Sequence, residues 1–444
     1  MVSPGRGNTS WNVVRSTLAL PTTAIKDGLA IISPLVILGA DYIRTRPGNR
    51  IYSPLPNELS RPLASSGDAA FSTMPLTFSL AGVLAATVTI CGNCMITKVL
   101  GAEKKTNRLT LERSQRPMFV PHTFGVALLM IFTSAICWGS WANTYKGVKN
   151  YRFELFYWDY ALGIFLIAVA LAFTLGNTAN NASSFLNNIR AADRSNFIYT
   201  LAGGAVFNLA NLLLVAAIDM AGLAIAFPVS IGIAMVVGVV SSYMLQPRGN
   251  AALLAAGVAC AVSAVILDGQ AYRNLTRAAR SVSRKSILVC VVSGILMGLW
   301  APFVTHAMTQ GNALGPYSTG VFFTLGALLS CFVWNVYFMK YPLVGEPVNF
   351  SKFFRGPAAG HLLGLMGGVI WGTGTVFNLV AANFTGVAIS YAIGQSAPMV
   401  AALWGVLAWK EFQGANRHAK AFLALMFLFY TLAILLLAKA NTAG

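Results

Sequence analysis

From Ser286 to Met339 the chain carries no Asp, Glu, Lys or Arg, and the same holds from Gly356 to Trp409. Each stretch is more than twice the roughly 20 residues that one membrane-crossing helix needs. Each is broken midway by turn chemistry: Gly311-Asn312-Ala313-Leu314-Gly315-Pro316 in the first, Asn383-Phe384-Thr385-Gly386 in the second. Both read as helix, tight turn, helix. The same logic along the chain predicts ten spans near 121–141, 157–176, 197–218, 224–245, 251–268, 287–308, 320–340, 361–381, 387–409 and 419–438. Backbone groups in hydrocarbon must bond within their own segment, so the expected fold class is all-α and polytopic. The short alternating strands of a β-barrel are absent from the pattern.

Residues 1–117 break with this picture. They hold 13 Lys or Arg and 6 Asp or Glu, with a Pro/Ser/Gly-rich stretch from Arg46 to Asp68. They are expected to be either a poorly ordered extension with one accessory helix at 73–97, or the product of too early a start, with Met118 as the alternative. Composition supports the membrane class for the rest. Hydrophobic residues make up 56% and charged residues 10%, with a mean hydropathy of +0.65, whereas a soluble domain carries about 25% charge.

The net charge of +18 does not point to nucleic acid, because the basic residues sit in short gaps between apolar runs instead of on one face. They set orientation instead. From residue 118 on, the segments after odd-numbered spans hold 14 Lys or Arg and those after even-numbered spans, with the tail, hold 4. The positive-inside rule puts the first set in the cytoplasm. The basic residues Lys98 to Arg116 argue the reverse, a conflict that a start at Met118 removes. Four of the six cysteines, Cys137, Cys260, Cys290 and Cys331, lie in apolar runs as small hydrophobes. Cys91 and Cys94 form a CxxC without a second ligand pair, so neither a metal nor a disulfide framework is expected.

Laid on itself at a shift of 164, the chain matches without gaps. Gly203-Gly204 falls on Gly367-Gly368, Asp219 on Asn383, Gly222 on Gly386 and Met235-Val236 on Met399-Val400. These are spans 3–4 and 8–9, which hold the same place in two five-helix sets, 118–270 and 287–444, joined by a short basic loop at 271–286. An odd number of helices per set makes the two run in opposite directions. That is the inverted-repeat plan of many secondary transporters, with the substrate site between the halves near the midplane. The paired glycines fit close helix packing in lipid.

Several segments carry a family resemblance. They are Cys137-Trp138-Gly139-Ser140-Trp141, Trp158-Asp159-Tyr160, Ala202-Gly203-Gly204 with Asn211, Gly294-Ile295 through Pro302, Asn335 with Pro342, and Gln395, Pro398, Trp404-Gly405-Val406 and Glu411. In order and spacing the region 119–438 resembles the ureide permease family of the drug/metabolite transporter superfamily, in a bacterial-type form. The resemblance implies proton-coupled uptake of small nitrogen-rich heterocycles such as allantoin and uracil. Plant members carry a long central loop with a nucleotide-binding-like motif; here Asp268–Ser286 is short and has no GxxxxGK[ST], which leaves direct ATP coupling unsupported and the plant substrate range in doubt.

Polar and ionisable groups are costly in hydrocarbon, so those within spans are the candidates for function. For substrate binding they are Gln395, Asn208, Asn211 and Asn378, whose amides either bind a heterocycle or tie helices together, and Trp138, Trp141, Trp300 and Trp371, which either stack on a planar ring or simply pack. Pro398 frees a backbone carbonyl beside Gln395; Pro302 and Gly203, Gly204, Gly367 and Gly368 are expected to be structural. For proton coupling the candidates are Asp159, Glu154 and His306. The two carboxylates either carry the proton or pair at the interface with Lys149 or Arg152. Asp219 is expected to cap span 4, and Asp268, Lys340 and Glu411 to be solvated anchors. The four histidines, His122, His306, His361 and His418, are scattered, and no HExxH or GxSxG occurs, so an enzyme is not expected. The expected partners are a small-molecule substrate, protons and the lipid bilayer, with a homodimer left open, no nucleic acid and no cofactor. Sugar uptake, drug efflux and, from another class, a membrane scaffold or receptor are the competing functions.

Overall fold

The computed structural model describes residues 118–148, 151–176, 184–275 and 283–442. The expected accessory helix at 73–97 and the Cys91–Cys94 pair lie outside them. Within them every regular element is helical. Ten helices are long and apolar enough to cross a membrane: α1 Phe124–Lys146, α2 Phe153–Thr174, α3 Arg194–Ala221, α4 Ala224–Leu245, α5 Ala251–Leu275, α6 Arg284–Thr309, α7 Pro316–Lys340, α8 Ala358–Thr385, α9 Val387–Leu407 and α10 Arg417–Thr442. All ten expected spans are present. The face on which odd-numbered helices end is called the basic face below.

The ends depart from expectation because a helix outlasts its apolar stretch. α5 continues to Leu275 and takes up residues expected in the basic loop. α7 starts four residues early, with Gly315 as N-cap and Pro316 in the first turn, where a missing N–H costs nothing. Asp219 lies in the last turn of α3 and does not cap α4, whose N-cap is Gly222. Two short helices, Phe185–Ala191 and Phe350–Phe354, escaped the hydropathy pattern. Three spans are interrupted: α1 at Trp141, α7 at 331–333 and α9 at Gln395-Ser396.

The turns α3–α4 and α8–α9 each consist of one glycine, with φ 81° and ψ 157° at Gly222 and φ 81° and ψ 153° at Gly386. That region of backbone space is essentially reserved for glycine. A Cβ on Gly222 would meet nothing within 4 Å, so Gly222→Ala isolates the backbone strain. It is expected to lose about 1–3 kcal/mol, measured as a fall in Tm in detergent.

Helix packing repeats across the chain. Gly204 of α3 lies against the Phe323 carbonyl and Ala327 amide of α7; Gly368 of α8 lies against the Tyr160 carbonyl and Ile164 amide of α2. Gly326 of α7 abuts the Leu201 carbonyl, and Gly163 of α2 abuts the Leu365 carbonyl. Gly298 of α6 meets Ala234 and Val237 of α4, while Gly139 of α1 meets Ala397 and Val400 of α9. In lipid no hydrophobic force drives helices together, so close van der Waals contact through small residues does that work. α8 is the hub: 78% of its apolar window is buried, against 28% for α10.

Candidate functional site

Aromatic rings from seven helices meet at the centre of the bundle. The Trp138 ring of α1 stacks on Trp371 of α8 at 6.0 Å and meets Trp300 of α6 edge-on at 6.4 Å. Phe207 of α3 also stacks on Trp371, at 4.4 Å. Phe323 of α7 and Tyr391 of α9 each approach Trp300 to 5.2 Å. Trp141 joins through Tyr160, 4.7 Å away, and Tyr160 reaches Trp371 at 6.5 Å. The four tryptophans read from the sequence therefore form one network. A buried indole needs an acceptor; Trp138 Nε1 donates to Thr375 Oγ1 at 3.0 Å.

The break in α9 borders this cluster. A Cβ on Gly394 would meet Asn378 Nδ2 at 2.7 Å and the Trp138 ring at 2.8 Å, so the glycine lets the chain bend against both. Gln395 and Ser396 follow, and the Ser396 hydroxyl is buried with no partner. Pro398 has no N–H to give the Gly394 carbonyl. Gln395 thus follows directly on the residue that packs against Trp138 and Asn378, and its side chain bonds the Tyr391 hydroxyl. Asn378 itself is engaged: its Nδ2 donates to the Ser390 carbonyl at 3.1 Å, and Ser390 Oγ donates back to Asn378 O and Oδ1.

The other two amides tie helices together. Asn208 Nδ2 donates to the Ala327 carbonyl and to Ser330 Oγ at 2.8 Å, joining α3 to α7, while its Oδ1 is buried without a partner. Asn211 Nδ2 lies 3.4 Å from the Tyr157 hydroxyl of α2.

The ionisable candidates separate to different places. Glu154 pairs with Arg152, strengthening the guanidinium's hold on its proton, and Arg152 also donates to the Glu346 and Val344 carbonyls after α7. Together with Tyr145, Leu212, Asp219 and Phe338 they line a cavity of about 100 Å³ on the basic face. His306 lies at the opposite end of the bundle, 3.8 Å from the Tyr199 ring. Asp159 joins His361 of α8, with Oδ2 2.8 Å from Nδ1. His361 did not stand out in the sequence.

Asp268 overturns its expectation as a solvated anchor. It is 4% exposed, and its Oδ1 has no partner. Pro228 and Ala224 of α4 cover the neighbouring Gly269, and Tyr272, one turn on, donates to Glu411 at 2.9 Å. Glu411 in turn accepts from Lys146 at 2.7 Å, closing α1 against the end of α9. On the opposite face Asp193 accepts from the Asn312 backbone amide at 2.8 Å and from its side chain at 3.0 Å. These bonds hold its carboxyl below the usual range.

Ten apolar helices around a buried aromatic centre define a multi-pass membrane protein, and comparison with known proteins sharpens the class. The profile of the family described as Ureide permease matches residues 156–286 and 275–440. Ureide permease 1 of Arabidopsis thaliana is 23% identical over 346 residues, covering 64% of this chain and 88% of the relative. Ureide permease 2 of the same plant is 21% identical over 397 residues, covering 73% and 99%. A solved chain described only as "Crystal structure of protein" superposes with a TM-score of 0.50 at 14% identity, over 70% of this chain and 97% of that one. The protein is a membrane transporter, not an enzyme. It belongs to the ureide permease family.

Proposed function

We propose that this chain moves a small, polar, nitrogen-rich metabolite of the ureide or nucleobase type across the cell membrane, coupled to protons, with its basic face in the cytoplasm. The observation that carries this reading is the stack Trp138–Trp371–Phe207 set beside the interrupted α9. A planar heterocycle would part these rings and stack between them, while the Gln395 amide and the unpaired carbonyl at Gly394 fix its orientation. The relatives' printed name supplies the compound class.

Two halves of opposite direction, 118–270 and 287–444, would rock about this centre. The reciprocal glycine contacts support that plan. Each contact between α3 and α7 has its counterpart between α8 and α2 at a shift of 163 or 164 positions. Phe207 and Trp371 correspond under the same shift. Contact between two equivalent residues is what an axis relating the halves would require, and so supports the same plan.

Uptake of labelled allantoin, uracil and a hexose into proteoliposomes, with and without an imposed pH gradient, tests the proposal. Gradient-driven accumulation of allantoin or uracil is expected, with hexose excluded. Gln395→Ala is expected to cut uptake about tenfold, the worth of one or two buried hydrogen bonds, without loss of folded protein. Accumulation of hexose instead, or uptake of none of the three, would overturn the assignment of substrate class; unchanged uptake in Gln395→Ala would remove its role.

A further inference from the structure

We infer that Asp159 and His361 together bind the coupled proton and, while it is bound, fasten α2 to α8 at the basic face. The inference rests on the proton-coupled reading above and adds the atoms that hold the proton. His361 is fixed between a carboxyl and a carbonyl: its Nδ1 is 2.8 Å from Asp159 Oδ2, and its Nε2 is 3.0 Å from the Phe353 carbonyl. A carbonyl only accepts, so Nε2 carries a hydrogen. A hydrogen bond at Nδ1 therefore requires a second proton, resident on the ring or on the carboxyl. With it the pair is neutral overall and attractive. Without it a carboxylate faces a bare ring nitrogen, and the contact turns repulsive at low dielectric.

The surroundings are built for this contact. Gly364 of α8 has no side chain where Asp159 approaches, since a Cβ there would stand 2.8 Å from Asp159 Cβ. The rings of Phe353 and Tyr151 flank His361 at 4.7 and 5.6 Å. Of the other titratable groups nearby, Arg152 and Glu154 are paired with each other, and Lys352 and Arg355 are exposed. The Tyr151 hydroxyl is buried without a partner and, pushed up by burial and by Asp159, keeps its proton.

The corresponding contact at the other end of the bundle is apolar. Under the shifts of 164 and 163 that relate the glycine contacts, His361 falls on Phe197 and Asp159 on Phe322. These two rings meet at 4.6 Å and 76°. One end is thus closed by a proton-bearing pair and the other by two phenyl rings, so proton loss loosens the basic face alone. For a carrier taking up substrate with a proton, release of that proton into the cytoplasm would open the exit.

The double variant Asp159→Phe/His361→Phe copies the opposite end and supplies the test, with Asp159→Asn and His361→Gln as single variants should the double not fold. In proteoliposomes, with allantoin as probe, the wild type should accumulate label under an acid-outside gradient. The variants should exchange label at equal pH but lose most of the accumulation. A second readout needs no substrate. Because the native pair holds a proton, its contribution to stability is present at low pH and lost as pH rises. Wild-type Tm should fall with rising pH by more than that of the variants. Accumulation equal to wild type, or identical Tm profiles, would overturn the inference. A wild type that ignores the gradient but shows the Tm difference would overturn the proton-coupled reading and leave the proton-bound contact standing.

Discussion

Gly368→Ala is expected to cost at least about 3 kcal/mol, the upper end of ordinary overpacking, and Gly204→Ala a similar amount. The neighbours decide this. A Cβ on Gly368 would collide with the Tyr160 carbonyl oxygen and stand 2.8 Å from the Ile164 amide nitrogen and 2.9 Å from Gly163 Cα. All three are backbone of α2, which cannot yield without moving the whole helix off the most buried span. Gly204 meets the Phe323 carbonyl and, at 2.7 Å, the Ala327 amide of α7 in the same way. The adjacent glycines provide the contrast. A Cβ on Gly203 would find Phe303 Cβ at 3.1 Å, a contact that relaxes by a few tenths of an ångström, and one on Gly367 would meet the Thr144 hydroxyl oxygen, a side-chain atom that yields by giving up its bond to the Trp141 carbonyl and not by moving a helix. Thermal unfolding in detergent should rank Gly204→Ala and Gly368→Ala well below Gly203→Ala and Gly367→Ala. Equal Tm values across the four would mean that these helices do not touch backbone to backbone.

Much of this was visible in the sequence, and what was missed has physical causes. The ten spans were legible because charge-free runs of membrane length have no other stable use. Their ends were not, because hydropathy falls where side chains reach the interface while helical hydrogen bonding continues. Asp268 shows the consequence. It closes the apolar run of α5 and so looked solvated, yet the helix runs on to Leu275, and α4 and the Tyr272–Glu411 contact bury it.

The tryptophans, Gln395 and Asn378 were legible as costly or bulky residues within spans, whereas nothing local separated Asn378 at the centre from Asn208 at a helix seam; only the partners, Ser390 for one and Ser330 for the other, do so. His361 was missed because its partner lies far away in sequence. The signal was present all the same. At the shift of 164 that matched the glycines His361 replaces Phe197, and at 163 Asp159 replaces Phe322, two ionisable residues where the other half has a ring pair.

Trp371→Ala should cut uptake about tenfold at subsaturating substrate, with Trp371→Phe retaining most of it. Trp371 is 7% exposed and touches rings from three other helices: Phe207, Trp138 and Tyr160. Truncation removes the platform on which a planar compound would stack, worth about 1–3 kcal/mol for each heterocycle face lost, or roughly a tenfold rise in KM. It also opens a void where α3 and α8 meet, at about 3–5 kcal/mol of stability, so the Ala variant alone would confound binding with folding. Phenylalanine separates the two. It is the residue that the other half places at the corresponding position, Phe207, and it keeps a ring against both Phe207 and Trp138. Trp138→Phe completes the set, since it keeps an aromatic ring while removing the 3.0 Å hydrogen bond to Thr375 and part of the indole's packing. The expected order of uptake is wild type, then the two Phe variants, then Trp371→Ala. Allantoin binding by thermal shift should follow the same order, because a ligand stabilises only the fold that binds it. A folded Trp371→Ala protein that takes up and binds allantoin like wild type would move the substrate path away from the aromatic centre.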